Sequence, residues 1–216
     1  MPPALLSALP QHEGRGAHDD SSWSPQLDHH RNRPYDPFKP FGATPGHGLE
    51  WARLLTHLQA TGAGGPALVP AARKFFTAAL NDAWWVDGSP GLVYTVDWDG
   101  EPVIRNRLHW VLCEALAAAA ALAQADPDRA SEYSGWFTVL WRHARTHYLD
   151  RDLGSWHHEL DTELRPSAQV RDGKADVYHA LQACLLPSLP IRPSIAGAVA
   201  EAGITLPAPR RPSGAS

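Results

Sequence analysis

Two stretches of this chain, GLVYTVDWDGEPV at 91–103 and GSWHHELDTELRPS at 154–167, share one register. Asp97 falls on Asp161 and Pro102 on Pro166, a spacing of 64 residues, and the same shift brings Tyr94 onto His158 and Leu122 onto Leu186. Each unit reads as a short hairpin followed by two helices. Units recurring at a fixed period stack side by side, because none buries its apolar face alone. Alternate helices should then form two layers: an inner class at 45–61, 105–125 and 174–187, and an outer class at 66–81 and 128–148.

The helix assignments rest on periodicity and on stop signals. Thr44 is the expected N-cap and Pro45 the first-turn proline of a helix carrying Leu49, Ala52, Leu55 and Leu58 on one face and ending at Gly62. The second helix has Val69, Ala72, Phe76 and Ala79 as its buried stripe. Leu92 to Val96 meets the turn Asp97-Trp98-Asp99-Gly100 and predicts a hairpin. Asp126-Pro127 stops the long third helix, and Trp136, Leu140, Trp141 and Ala144 mark the fourth. Three regions follow: a loop-rich segment at 1–43, a helical domain at 44–190, and a Pro-rich tail at 191–216. In that tail only 195–202 reads as helical, and the last ten residues read as mobile.

Composition narrows the function classes. Hydrophobic residues at 44% and charged ones at 19% specify a globular chain. A net charge of −4 gives no electrostatic footprint for nucleic acid or for an anionic membrane. The longest apolar run, Ala115 to Ala123, is far short of the ~18 residues of a membrane span, and Ala4 to Leu9 is too short for a signal peptide. Cys113 and Cys184 lie in apolar helix-like runs and read as small buried hydrophobes in a reducing cytoplasm. Twelve histidines and nine tryptophans remain, proton carriers near neutrality and flat platforms for sugars and bases, and composition alone does not choose between catalyst, lectin and metal binder.

These residue types gather at helix starts. His47 and Glu50 share a face of the first inner helix; Arg107, Trp110 and Glu114, at i, i+3 and i+7, share a face of the second; His179 opens the third. Stacking brings those ends to one mouth, with Trp51 beside them. Glu114 sits among Leu112, Cys113, Ala115 and Leu116, where an unpaired charge is costly. His109, about 140° around the helix from Glu114, reads as a core residue. His29-His30 and His157-His158 are weak metal signals, since HExxH and paired cysteines at zinc spacing are missing. No GxGxxG, Walker or GxSxG string is present, so neither a cofactor nor a metal is expected.

The strings ATPGHGLEWARLL, RLHWVLCEALAAAAAL and DGKADVYHALQACLLP, in that order, resemble the carboxy-terminal half of the N-acylglucosamine 2-epimerase family, from about Trp23 to Pro190. The resemblance implies an all-α fold, an (α/α)6 barrel that is here incomplete, with short β-hairpin insertions. It implies a metal-free epimerase or aldose–ketose isomerase that moves protons at C1 and C2 of a monosaccharide through an enediol. His47 and His179 match the family's acid/base histidines, and Glu50 and Glu114 match carboxylates that orient them or hold sugar hydroxyls. Lys39, in KPFG, stands where many relatives carry an arginine and gives a charge without a bidentate fork.

A ring of six hairpins at this period needs roughly 380 residues, against the 216 present. An open array exposes apolar flanks, so self-association or marginal stability is expected. The rival readings are a non-catalytic remnant with the same helical array and a carbohydrate-binding module built on Trp51 and Trp110.

Overall fold

A computed structural model describes residues 40–203. Lys39, the paired histidines at 29–30, most of the 1–43 segment and the end of the tail lie outside the described residues. The helices are α1 (Pro45–Gln59), α2 (Leu68–Ala83), α3 (His109–Ala125), α4 (Ala130–His143), α5 (Val177–Leu185) and α6 (Ile195–Ala202). Two antiparallel sheets accompany them. β1 (Thr95–Val96) pairs with β2 (Pro102–Ile104), and β3 (Arg107–Leu108) joins β4 (Glu159–Leu160) and β5 (Pro166–Ser167).

The two layers form as the repeat predicts. α1 packs on α3 and α3 on α5, while α2 covers α1 and α3 from outside and α4 covers α3. α3 is therefore surrounded, and its sequence HWVLCEALAAAAALAQA is buried nearly all round, its alanines letting neighbours approach closely. The amphipathic α2 buries Ala72, Phe76, Ala79 and Ala83. Its stripe runs on to Ala83, whereas Val69 is only half-buried.

The repeat extends to individual hydrogen bonds. The Asp97 carboxylate accepts from the amides of Asp99 and Glu101, each at 2.9 Å. Sixty-four residues on, Asp161 accepts from those of Glu163 and Arg165 at the same distance. Gly100 and Leu164 hold the same turn position with φ of 85° and 63°, a left-handed conformation that suits glycine and strains leucine. Ala43 bridges Val96, and at the equivalent place Arg107 pairs with Leu160. So each hairpin bonds to the strand that leads into the preceding inner helix.

Several expectations need correction. The apolar face of α1 is Leu49, Ala52 and Thr56, with Arg53 buried alongside; Leu58 is 46% exposed. Nine residues at 100° each turn half a revolution, so a strict three-residue spacing carries Leu58 opposite Leu49. Thr44 holds the N-cap backbone position before Pro45, but its side chain makes no capping bond. α3 starts at His109, so Arg107 belongs to β3. α4 ends at His143 and runs into a wider π-type turn through Tyr148. Cys113 is buried as expected, while Cys184 is exposed; both thiols are free. No helix among the described residues is long and apolar enough to cross a membrane.

Candidate active site

The mouth is assembled where α1, α3 and α5 begin. His47 lies exposed in the first turn of α1, and its ring sits 5.3 Å from that of Trp110 in the first turn of α3. The His179 ring, in the first turn of α5, lies 5.9 Å from the same indole. Both histidines therefore meet Trp110, whose edge also abuts Tyr94 at 6.3 Å. The indole fits because residue 46 is glycine: a Cβ there would fall 2.5 Å from Trp110 Cη2.

His179 is the most constrained of these groups. Asp176, the N-cap of α5, accepts the His179 amide at 3.0 Å and faces the ring Nδ1 with both carboxylate oxygens, at 2.9 and 3.0 Å. With Nδ1–H donating to Asp176, Nε2 carries the lone pair. That nitrogen lies 3.8 Å from Glu114 Oε1. Burial would raise the Asp176 carboxyl, but the bonds from the His179 amide and ring hold it below the usual carboxylate range.

Glu114 is buried and held by Arg53, whose Nε donates to one oxygen at 2.8 Å and whose Nη2 donates to the other at 3.1 Å. This bidentate pair gives the carboxylate its required counter-charge. Both oxygens of Glu114 thus face Arg53, and Oε1 also lies toward His179. Glu50 is half-buried. Its charge is felt at Tyr178, whose hydroxyl is raised by burial and then by the carboxylates of Asp176, Glu114 and Glu50. The Tyr178 ring lies against His179, centroids 3.8 Å apart. Trp51 is 41% exposed on α1.

Arg107 is not brought to this group. Its side chain is fully enclosed, with Nη1 donating to Asp87 at 3.0 Å, Nη2 to the Ser89 carbonyl at 3.0 Å and Nε to the Pro90 carbonyl at 3.2 Å. The i, i+3, i+7 argument required a helix from 105, and β3 interrupts it. His109 is buried as expected, yet its ring meets His179 at 5.9 Å and its Nε2 lies 3.2 Å from Asp176 Oδ2. The angular separation from Glu114 holds on α3, but α5 lies across both faces. His109, Asp176 and His179 are the described residues whose donor atoms cluster closely enough for a metal ion.

The segment leading into α5 is anchored by Glu159, which is fully buried. Its oxygens accept from Asn106 at 2.7 Å, from Ser167 at 2.8 Å and from the amides of Gln169, Val170 and Arg171 at 3.1, 2.8 and 2.7 Å. Lys174 then ion-pairs with Asp150. These contacts fix the loop that carries Asp176.

Comparison with known proteins places the sequence and the fold in a family. The model of the N-acylglucosamine 2-epimerase (GlcNAc 2-epimerase) family matches residues 12–183. A D-mannose isomerase of Pseudomonas cannabina pv. alisalensis is 48% identical over 188 residues, covering 85% of this chain and 45% of that protein. One from Thermobifida fusca is 46% identical, covering 86% and 46%. A crystal structure of D-mannose isomerase superposes with a TM-score of 0.67 at 29% identity, over 75% of this chain and 41% of that one. The cellobiose 2-epimerase of Bacillus thermoamylovorans, at 19% identity and a TM-score of 0.53, shares the fold. The chain spans less than half the length of these relatives, and its helical array is an incomplete (α/α)6 barrel. With four-fifths of its residues matched, the chain belongs to the N-acylglucosamine 2-epimerase family.

Proposed function

We propose that this chain carries the proton-transfer machinery of an aldose–ketose isomerase acting on D-mannose or a close relative. The observation that carries the reading is His179, clamped at Nδ1 by Asp176 with Nε2 free, in a mouth where His47 also packs against Trp110. The 48% identity to a D-mannose isomerase supports the choice of substrate. In the open-chain sugar, Nε2 of His179 takes the C2 proton, giving an enediol. The imidazolium formed is balanced by Asp176 on one side and Glu114 on the other. Returning that proton to C1 yields the ketose, with His47 serving the oxygen protons at O1 and O2. Delivery to the opposite face of C2 would give the 2-epimer instead. Trp110 supplies a flat apolar wall for the sugar carbons. Glu50 and Trp51, beside His47 on α1, are the hydroxyl and stacking contacts of this reading, and Lys39 adds a charge.

The full chain incubated with D-mannose in D2O tests the proposal. Ketose formation, with deuterium entering C1 of the ketose or C2 of the recovered aldose as the His179 proton exchanges with solvent, abolished in His179→Asn and His47→Ala, is the expected result. Ketose formation and label incorporation both no faster than in His47→Ala would overturn it and leave the non-catalytic remnant.

Self-association belongs to the same reading, supported by Trp51, Leu54 and Leu58 exposed on α1 and by Val177, Tyr178 and Leu181 exposed on α5. Sedimentation velocity tests it, and a concentration-independent monomer would contradict it. A cytoplasmic setting is supported by the two free thiols.

A further inference from the structure

The strongest feature outside the proton-transfer pair is the environment of His109. The ring is fully buried, and its nitrogens make no well-aligned hydrogen bond; Nε2 has the Asp176 carboxylate at ion-pair distance only. A buried imidazole so poorly satisfied is costly, and it is uncommon without a ligand or a chemical role. Its Nε2 points at Asp176, 3.2 Å from Oδ2, and Asp176 in turn holds His179 Nδ1 at 2.9 Å. One donor atom from each of the three lies within 4.8 Å of the other two.

We propose that His109, Asp176 and His179 form a binding site for a divalent transition metal of the zinc class, and that the bound metal switches off His179 as a base. The second half rests on the functional reading above; the first does not. Metal–nitrogen and metal–oxygen bonds of about 2.0–2.2 Å place tetrahedral ligands a little over 3 Å apart, near the 3.2 and 2.9 Å that separate Asp176 from the two imidazoles, with all three donors within 4.8 Å. Two imidazoles and one carboxylate favour zinc, cobalt, nickel or copper over magnesium or calcium. Ligand imidazoles must be neutral, and burial holds the His109 ring down to about 4, so it is neutral at physiological pH. The Asp176 side chain is 39% exposed, which leaves solvent a path to the site and room for a water as fourth ligand.

The switch follows from tautomerism. Without metal, Asp176 accepts from Nδ1–H of His179, and the Nε2 lone pair is available to the substrate. A metal on Nδ1 uses that nitrogen's lone pair, so the ring proton must reside on Nε2. The nitrogen that faces the sugar then has a proton and no lone pair, and cannot take one from C2. No charge is lost, since the same proton moves from one ring nitrogen to the other.

Calorimetric titration of the full chain with Zn2+, and of its visible spectrum with Co2+, tests the site. Wild type should bind one zinc equivalent and give the intense bands of a low-symmetry cobalt centre. His109→Gln should weaken zinc at least tenfold and lose those bands, whereas His143→Gln, at a residue that lies outside the cluster and pairs its ring with His147, should retain both. Should His109→Gln lose its circular dichroism, Asp176→Asn, which keeps the helix cap, replaces it with the same expectation. Zinc binding by either folded variant at wild-type affinity would overturn the site. Isomerase activity undiminished at saturating zinc would overturn the switch. Specific zinc binding in a chain without isomerase activity would uphold the site and sink the functional reading alone.

Discussion

Asp176 closes the first turn of α5 and holds the ring of His179 with the same carboxylate, one oxygen lying 3.0 Å from the amide and 2.9 Å from Nδ1 of the same residue. One side chain thus caps the helix and sets the tautomer of the histidine three positions on. The two duties separate in Asp176→Asn, because asparagine caps as well as aspartate but carries no charge. On the proposed chemistry kcat should fall about 10- to 100-fold, with KM changed about twofold or less. Thermal stability should be nearly unaltered. Steady-state kinetics with a melting curve checks this, and a loss in KM alone would speak against an orienting role.

Arg53 and Glu114 should behave as a unit. Arg53→Met leaves the Glu114 carboxylate buried without its counter-charge and should cost roughly 3–5 kcal/mol of stability. Arg53→Met combined with Glu114→Leu should recover most of that loss, because the remaining apolar pair needs no partner. Urea denaturation of the three proteins measures it.

Gly46→Ala tests the fit of Trp110. The added Cβ would stand 2.5 and 2.6 Å from two indole carbons, so the ring must shift away from the mouth. A loss of about 1–3 kcal/mol is expected, as for overpacking elsewhere. It should be accompanied by a higher KM for the sugar, and wild-type KM with wild-type stability would show that the wall is not where the sugar packs.

His143 gives a pH dependence of known sign. Burial, then the neighbouring His147 and Arg107, hold its ring down to about 4. An unfolded histidine titrates near ~6.5, so below that pH the unfolded chain takes up a proton that the folded chain refuses. Stability is therefore full above ~6.5 and is lost as the pH falls toward about 4, by on the order of 3 kcal/mol for this residue. His109 acts in the same direction. Melting temperatures from pH 7 to 4.5 should fall, and His143→Gln should flatten the curve by about half. An unchanged slope in that variant would contradict the assignment.

The layers and the helix order were legible because a repeat written twice in the sequence reports packing directly. His47 and His179 were legible from strings around them, and both stand at the mouth. Arg53 was not, since its partner lies 61 residues away and only the depth of Glu114 among apolar neighbours hints that a cation is needed. Asp176 left a trace, three residues before His179, in the spacing of an N-cap and its third helical position. Arg107 was misplaced because three residues read as one helix face straddle a strand and a helix.

The pairing of Ala43 with Val96 and of Arg107 with Leu160 has a mechanical meaning for the mouth. These rungs sit one or two residues ahead of the inner helices, so the positions of neighbouring helix starts are gauged by backbone spacing rather than by side-chain fit. A substitution deep between the helices can then soften the body of the protein while the rim keeps its calibration. A break in one rung should do the reverse, leaving a stable protein whose two histidines no longer meet across Trp110.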